Sequence, residues 1–210
     1  MWPVDSIVRY LAITLSLLLI VSCATQRGTG LPDFPDWNTR TQTLASLMNW
    51  QFKGRIGVST GNEGFNGELR YSQIDNGFRA MVSGPLGFGT IRLEGYGRSV
   101  TVIDKDGEER ILIDPEIDLH DMYGWTIPVA NLRFWALGIP NPTMPADTEF
   151  NEDGLLVSFS QDTWFINITQ YRDGGGQLMP GRLSAISGEN KIRLVIDNWV
   201  FRQSKLSLPN

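Results

Sequence analysis

Cysteine and histidine are almost missing from this chain, with one of each in 210 residues. The single cysteine, Cys23, excludes an intramolecular disulfide, so packing must stabilise the fold. Any Ser-His-Asp or Cys-His device would depend on the single histidine, His120, whose expected place is a helix surface. Metal centres need several converging His, Cys or carboxylate ligands. The acidic residues here instead fall at turns and caps, and Asp104-Lys105-Asp106-Gly107 reads as a solvated hairpin turn. Positive charge is short as well: 18 Lys and Arg against 23 Asp and Glu give a net charge of -5. A mildly acidic chain lacks the basic face that nucleic-acid binding requires. There is no G-x-x-x-x-G-K-[ST] phosphate loop, and Gly174-Gly175-Gly176 reads as a flexible hairpin connection. The sequence thus offers no catalytic residue, metal site, cofactor motif or means of hydrolysing a nucleotide.

What is present begins at the N-terminus. Met1 to Tyr10 carries one cation, Arg9, and one anion, Asp5, and Leu11 to Val21 is aliphatic apart from Thr14 and Ser16. That run has the length of a signal-peptide core and is too short to span a bilayer, which takes roughly 20 apolar residues. It ends in Ile20-Val21-Ser22-Cys23, which resembles the lipobox of bacterial lipoproteins. The resemblance implies a diacylglycerol on the Cys23 sulfur, removal of residues 1–22 and acylation of the new amino group. An ordinary secretory signal with a chance cysteine is the other reading, but it leaves the sole thiol unexplained. Ala24 follows, where aspartate usually marks retention in the inner membrane, so the resemblance points to the outer membrane and a body facing the periplasm. Cleavage leaves 188 residues, still at -5 because Asp5 and Arg9 leave together, and that is enough for one domain. The Gly- and Pro-rich stretch up to residue 36 reads as a flexible tether from Cys23, and the domain is expected over 37–204.

Within that domain the apolar periodicity is two. Trp50, Phe52, Ile56 and Val58 alternate, then Leu69 and Tyr71, then Phe78, Ala80 and Val82, Ile91 and Leu93, Val100 and Val102, and Ile111 and Ile113. The pattern resumes with Leu155, Val157 and Phe159, then Trp164, Ile166 and Ile168; Leu183 and Ile186 are less regular, and Ile192, Leu194 and Ile196 close the set. Alternation gives one apolar and one wet face, as in an antiparallel sheet of ten or eleven strands. Two helices interrupt the strands and one stands in front of them. Asp36 caps one that starts at Trp37 and carries Thr41, Leu44 and Met48 on one side. Asp114-Pro115 starts a second, with Ile117, Leu119, Met122 and Tyr123 apolar and Gly124 as its stop. A third is expected from about Ala130 to Leu137, stopped by Gly138 and Pro140. The expected fold is mainly β: one strongly curved antiparallel sheet with helices over its concave face. Such a sheet either fills its core with side chains or keeps a greasy cavity, and ordinary packing favours filling.

One turn is unusual. Gly84-Pro85-Leu86-Gly87-Phe88-Gly89 joins two strands, and Pro and Gly suit it. Leu86 and Phe88 do not suit a wet loop. Leu86 either folds back onto the core or forms an apolar tip that touches lipid. Burying one leucine yields roughly 1.5–3 kcal/mol, enough for transient insertion and too little to hold a protein at a membrane.

Several segments in order are similar to the LolB family of outer-membrane lipoprotein receptors. They are the lipobox at Cys23, the Trp37-led helix, and Pro85-Leu86-Gly87 followed by the strand through Ile91 and Leu93. Ile127 to Pro140, with Leu132, Trp135, Leu137 and Gly138, comes next, and the tail Lys191 to Trp199 completes the order. The resemblance implies an incomplete half-barrel with an α-helical lid over an apolar cavity, reversing the preference for a filled core. Met122, Leu132, Trp135, Leu137, Trp164 and Ile166 become candidates for the lid and cavity. Pro85, Leu86, Gly87 and Phe88 become the membrane-insertion loop, although Phe88 stands where the family has a small polar residue. The implied partners are the periplasmic carrier LolA, acylated lipoprotein cargo and the inner leaflet of the outer membrane, served by a monomer. A structural envelope lipoprotein with a filled β core is the alternative; a lipid-handling enzyme is the third reading, disfavoured by the single histidine.

Overall fold

The computed structural model describes residues 30–202, apart from 62, 85–88, 98 and 125 and the side chain of Glu63. The segment 1–22, Cys23 and the Pro85-Leu86-Gly87-Phe88 turn therefore lie outside the described residues. Among those described are α1 (Trp37–Ala45), then β1 (Asn49–Thr60), β2 (Glu63–Ile74), β3 (Gly77–Ser83), β4 (Ile91–Tyr96), β5 (Ser99–Ile103) and β6 (Glu109–Leu112). Helices α2 (Pro115–Tyr123) and α3 (Val129–Ala136) follow. The chain finishes with β7 (Asp147–Phe150), β8 (Leu156–Gln161), β9 (Trp164–Gly174), β10 (Gln177–Ser187) and β11 (Asn190–Phe201).

The helix ends form as their residues dictate. The Asp36 carboxylate accepts from the Thr39 N–H at 2.8 Å and the Thr39 hydroxyl at 2.9 Å. Asp114 accepts from the Ile117 N–H at 3.2 Å, with Pro115 opening α2 and Gly124 closing it at φ 73°. Gly138, at φ 74°, turns the chain after α3.

All eleven strands form one antiparallel sheet in the order β6-β5-β4-β3-β2-β1-β11-β10-β9-β8-β7. Each half is a meander, and the halves join where β1 pairs with β11. Strands β6 and β7 are the two edges, so the sheet is an open half-barrel. Since α2 and α3 lie in sequence between those edges, the chain leaves one rim, crosses the concave side and rejoins the other. Register slips bend the sheet. One falls between Lys53 and Gly54 in β1, another around Gly181 in β10. A side chain at Gly54 would overlap the Val195 carbonyl oxygen, so only glycine allows β11 to come so close. Gly95 is used differently: the Phe78 ring lies across it and fills the space a side chain would take.

The inner face of these strands and the helices share one apolar core. Most of the alternation lands as expected, with Trp50, Phe52, Ile56, Val58, Leu69, Ile166, Ile192, Leu194 and Ile196 all buried. Some positions move. Ile111 and Ile113 are 74% and 97% exposed, because Leu112 is the residue opposite buried Val100 and takes the inward position. Ile186 points out, since Leu183 and Ala185 are in register with Leu194 and Ile192. In β8 the ladder slips at Val157, so Leu156 is buried in place of Leu155 and Val157, while Phe159 is buried as expected. Met48 falls beyond α1 and is half exposed, and Ile117 is exposed while Leu119 is buried. Replacing Gly54 by alanine should cost on the order of 1–3 kcal/mol, as overpacking does. Urea unfolding checks this; an unchanged midpoint would show that β11 moves aside freely.

Candidate functional site

The candidate site is the inner face of the half-barrel, the helical segment over it and the rim beside the β3–β4 connection. On β1–β3 and β11 that face is graded along its length. At the end away from the β3–β4 connection it is aromatic. Trp50 stacks on Tyr71 at 5.0 Å between ring centres, Phe52 on Tyr71 at 5.4 Å, Tyr71 on Phe78 at 5.8 Å and Trp199 on Phe201 at 5.5 Å. Toward the connection the same strands present Ile56, Val58, Val82, Ile192 and Leu194. Burial pushes the Tyr71 phenol far above its ordinary pKa, against the smaller opposing field of Arg133. Its hydroxyl donates to Gln73 Oε1 at 2.8 Å, so the polar tip is satisfied inside the apolar wall.

The lid is held by buried polar groups. Gln161, at the end of β8, is 1% exposed. Its Nε2 donates to the Asn141 carbonyl at 2.9 Å and the Met144 carbonyl at 3.3 Å. Its Oε1 accepts from the Trp135 indole N–H at 3.2 Å and the Asn141 N–H at 2.9 Å. Asn141 Nδ2 in turn donates to Asn131 Oδ1 on α3 at 2.8 Å. This set ties α3 and the chain after it to the β8 side of the sheet. Trp135 also meets Trp164 at 5.7 Å and Phe159 at 6.4 Å between ring centres. On the other flank, Arg133 lies 4.7 Å over the Phe134 ring. Its Nη2 makes only a long 3.5 Å bond to the Ala45 carbonyl at the end of α1, and its buried Nε has no partner. The lid is therefore fastened firmly toward β8 and loosely toward α1.

At the rim, a groove of about 710 Å³ is lined by Phe65, Ile91, Tyr123, Gly89, Thr90 and the Asp104–Asp106 turn. Phe65, Ile91 and Tyr123 also pack on the core, so the groove meets the aliphatic end of the inner face. Its size falls in the range of ligand pockets.

The expected lid and cavity residues come together in part. Trp135, Leu137 and Ile166 are fully enclosed, Leu132 and Trp164 are buried, and Met122 is half-buried against the core. Cys23 and Pro85, Leu86, Gly87 and Phe88 lie outside the described residues, and the structure gives only the ends of that turn, Gly84 and Gly89. His120 is exposed on α2. Among the described residues no cluster of His, Cys, Asp or Glu is placed to hold a metal, and no helix is long and apolar enough to cross a membrane. Sequence reading missed Gln161, Asn141 and Asn131, because polar residues at a strand end and a loop carry no periodic signal. It placed Tyr123 only on the apolar side of α2 and did not single out Phe65, because which apolar residues reach the rim depends on strand order.

Comparison with known proteins agrees with this architecture. Residues 48–199 match the family described as outer membrane lipoprotein LolB. The chain is 32% identical over 175 residues to outer-membrane lipoprotein LolB of Pseudomonas aeruginosa, covering 83% of this chain and 85% of that protein. It is 30% identical over 194 residues to the protein of that name from Nitrosococcus oceani, covering 91% and 96%. Among solved structures it is similar in fold to a LolA-superfamily protein from Nitrosomonas europaea. The TM-score is 0.51 at 9% identity, over 82% of this chain and 94% of that one. A DUF1329-family protein from Desulfovibrio piger is similar as well, with TM-score 0.53 at 7% identity over 81% and 91%.

Gln161→Leu should destabilise the protein by about 1–3 kcal/mol for each buried partner left unpaired. Hydrogen exchange should localise the loss to α3 and residues 138–144. Exchange rising evenly over all strands would contradict a local tie.

Proposed function

The chain belongs to the LolB family of outer-membrane lipoproteins, and from that premise we propose that it accepts acylated lipoproteins from the periplasmic carrier LolA and inserts them into the inner leaflet of the outer membrane. The observation that carries the reading is the open half-barrel whose apolar inner face is covered by an inserted helical segment with unequal fastenings. Acyl chains cannot cross water unsheltered, at about 0.8 kcal/mol per exposed methylene. The aliphatic end of the inner face and the rim groove beside Ile91 suit such chains. Lid helices held loosely toward α1 can yield on that side without breaking the Gln161 set.

Direction needs no catalytic group. Cargo passes from carrier to receptor when the receptor binds more tightly, and the bilayer then drains the receptor. A lipid on Cys23 keeps the protein beside the acceptor membrane and raises local concentration. Pro85, Leu86, Gly87 and Phe88, between Gly84 and the rim groove, form the tip that enters the leaflet, with Leu86 as its apolar point. The stacked rings of Trp50, Phe52, Tyr71 and Trp199 favour a second reading, an envelope lipoprotein whose core is simply filled.

Titration of the chain with a fluorescent fatty-acyl probe separates the two. Saturable binding, weakened by a bulky substitution at Ile91, is expected of a transporter; its absence would leave the filled-core reading. Leu86→Glu should leave folding and probe binding unchanged but block delivery of cargo to liposomes. Normal delivery by that variant would remove Leu86 from the mechanism.

A further inference from the structure

Charge is unevenly spread over this molecule. Between residues 104 and 162 there are thirteen carboxylates and three cations, Lys105, Arg110 and Arg133. That stretch holds β6, both lid helices, β7 and β8. The rest of the chain has ten carboxylates and fifteen cations.

Five of these cations, Lys53, Arg55, Arg70, Arg182 and Arg193, share the outer face of the central strands. Register sets Lys53 opposite Arg70, Arg55 opposite Glu68 and Val195, Arg182 opposite Val195, and Arg193 opposite Gly57. All five cations are exposed, and the carboxylates sharing this face are Glu68 and Asp197. Arg55 pairs with Asp197 at 2.9 Å. Among the described residues, Lys53, Arg70, Arg182 and Arg193 have no ion pair. The face is also hollowed. Gly57 presents no side chain between Asn66 and Arg193, and a depression of about 720 Å³ runs across Arg55, Gly57, Asn66 and Arg193 to Ser83 and Gly84. Glu68 also lines the hollow and Arg55 is shared with Asp197, so it is Arg193, with no ion pair among the described residues, and the Asn66 amide that suit phosphate oxygens.

The chain also enters the body near this surface. The Leu31 N–H donates to the Gly175 carbonyl at 2.7 Å, and Gln177 Nε2 donates to Asp33 Oδ1 at 2.9 Å. Residues 30–33 are thus fastened at the β9–β10 turn. Six residues lie between Cys23 and Gly30, giving seven Cα–Cα steps. They reach about 25 Å at full stretch and about 15 Å as a flexible coil. Gly175 lies beside Phe201. From Phe201 to Val195, level with Ser83, β11 runs six residues, or about 20 Å. A body standing upright on its β3–β4 end would hold Gly30 beyond the coil length of that tether. A body lying on the outer face of β9–β11 and β1 would not.

We propose that the outer face of β1, β2, β10 and β11 rests against an anionic bilayer, with phospholipid phosphates in the Arg55–Arg193 hollow. The proposal rests on the Cys23 anchor of the preceding section. In this pose the acidic lid is repelled from the bilayer and faces the periplasm, where an arriving partner can reach it. The attraction is electrostatic and weakens with salt.

The test uses the full lipidated chain in vesicles of phosphatidylethanolamine, with and without phosphatidylglycerol. Single fluorescent labels are placed by Thr169→Cys on outer β9 and by His120→Cys on α2, and nitroxide-bearing headgroups act as quenchers. With phosphatidylglycerol present, Thr169→Cys should be quenched severalfold more than His120→Cys. The difference should be lost at high salt and in Arg70→Glu/Arg193→Glu, while that variant still floats with the vesicles. Equal quenching of the two labels, stronger quenching at His120→Cys, or a difference that survives charge reversal would overturn the proposal. Failure of the unaltered chain to float with either vesicle would instead remove the anchor, and this pose with it, without bearing on acyl binding.

Discussion

The enclosed Gln161 side chain makes four hydrogen bonds, and through them β8, the Trp135 indole and the chain after α3 are tied together. The rest of the architecture depends on this tie. An open sheet has two unpaired edges and an apolar inner face that nothing else in the sheet can cover. Here a single insertion, residues 113–146, spans from one edge to the other and covers that face. Were it not held at β8, Trp135, Phe159 and Trp164 would meet water together. A buried amide is costly unless every donor and acceptor is used, and Gln161 uses both ends of its amide.

The other side of the insertion is built differently. Toward α1, beside the apolar packing of Leu44, the polar contact is Arg133, which makes one long hydrogen bond to the Ala45 carbonyl, lies over Phe134 of its own helix and, among the described residues, leaves its Nε unpartnered. A half-barrel closed equally well on all sides would be only a container. The hydrogen bonds of the insertion are thus unequal, many toward β8 and one long one toward α1, while β1 and β11 join closely where Gly54 leaves no side chain. The grading of the wall fits the same division. Stacked rings brace the end far from the rim, and branched aliphatic side chains line the end near it.

Charge adds a further asymmetry. The lid and edge strands carry most of the carboxylates, and the convex strands carry exposed, largely unpaired arginine and lysine. A net charge of -5 conceals this, because opposite excesses cancel in the sum. A mild acidic balance disfavours a nucleic-acid partner but says nothing about where a cationic face lies. Once strand order puts β1, β2, β10 and β11 side by side, residues distant in sequence become one surface.

The sequence by itself determined the class of fold and most of its elements. Period-two alternation requires one apolar face, and Asp36, Asp114-Pro115, Gly124 and Gly138 are local signals whose chemistry acts within a few residues. Segment order was enough to point to the family. Inward parity was legible in the long strands, where cross-strand neighbours on both sides repeat the pattern. It was not legible at Ile111, Ile113 or Leu155, where an edge position or a bulge shifts the face by one residue and no local feature marks the shift. Only the tertiary structure decided that Gln161 bonds to Trp135 and Asn141, that Arg133 has an unpartnered Nε, and that Arg55 and Arg193 flank one hollow. Those facts depend on contacts between residues from 20 to about 140 positions apart, which local propensity does not encode.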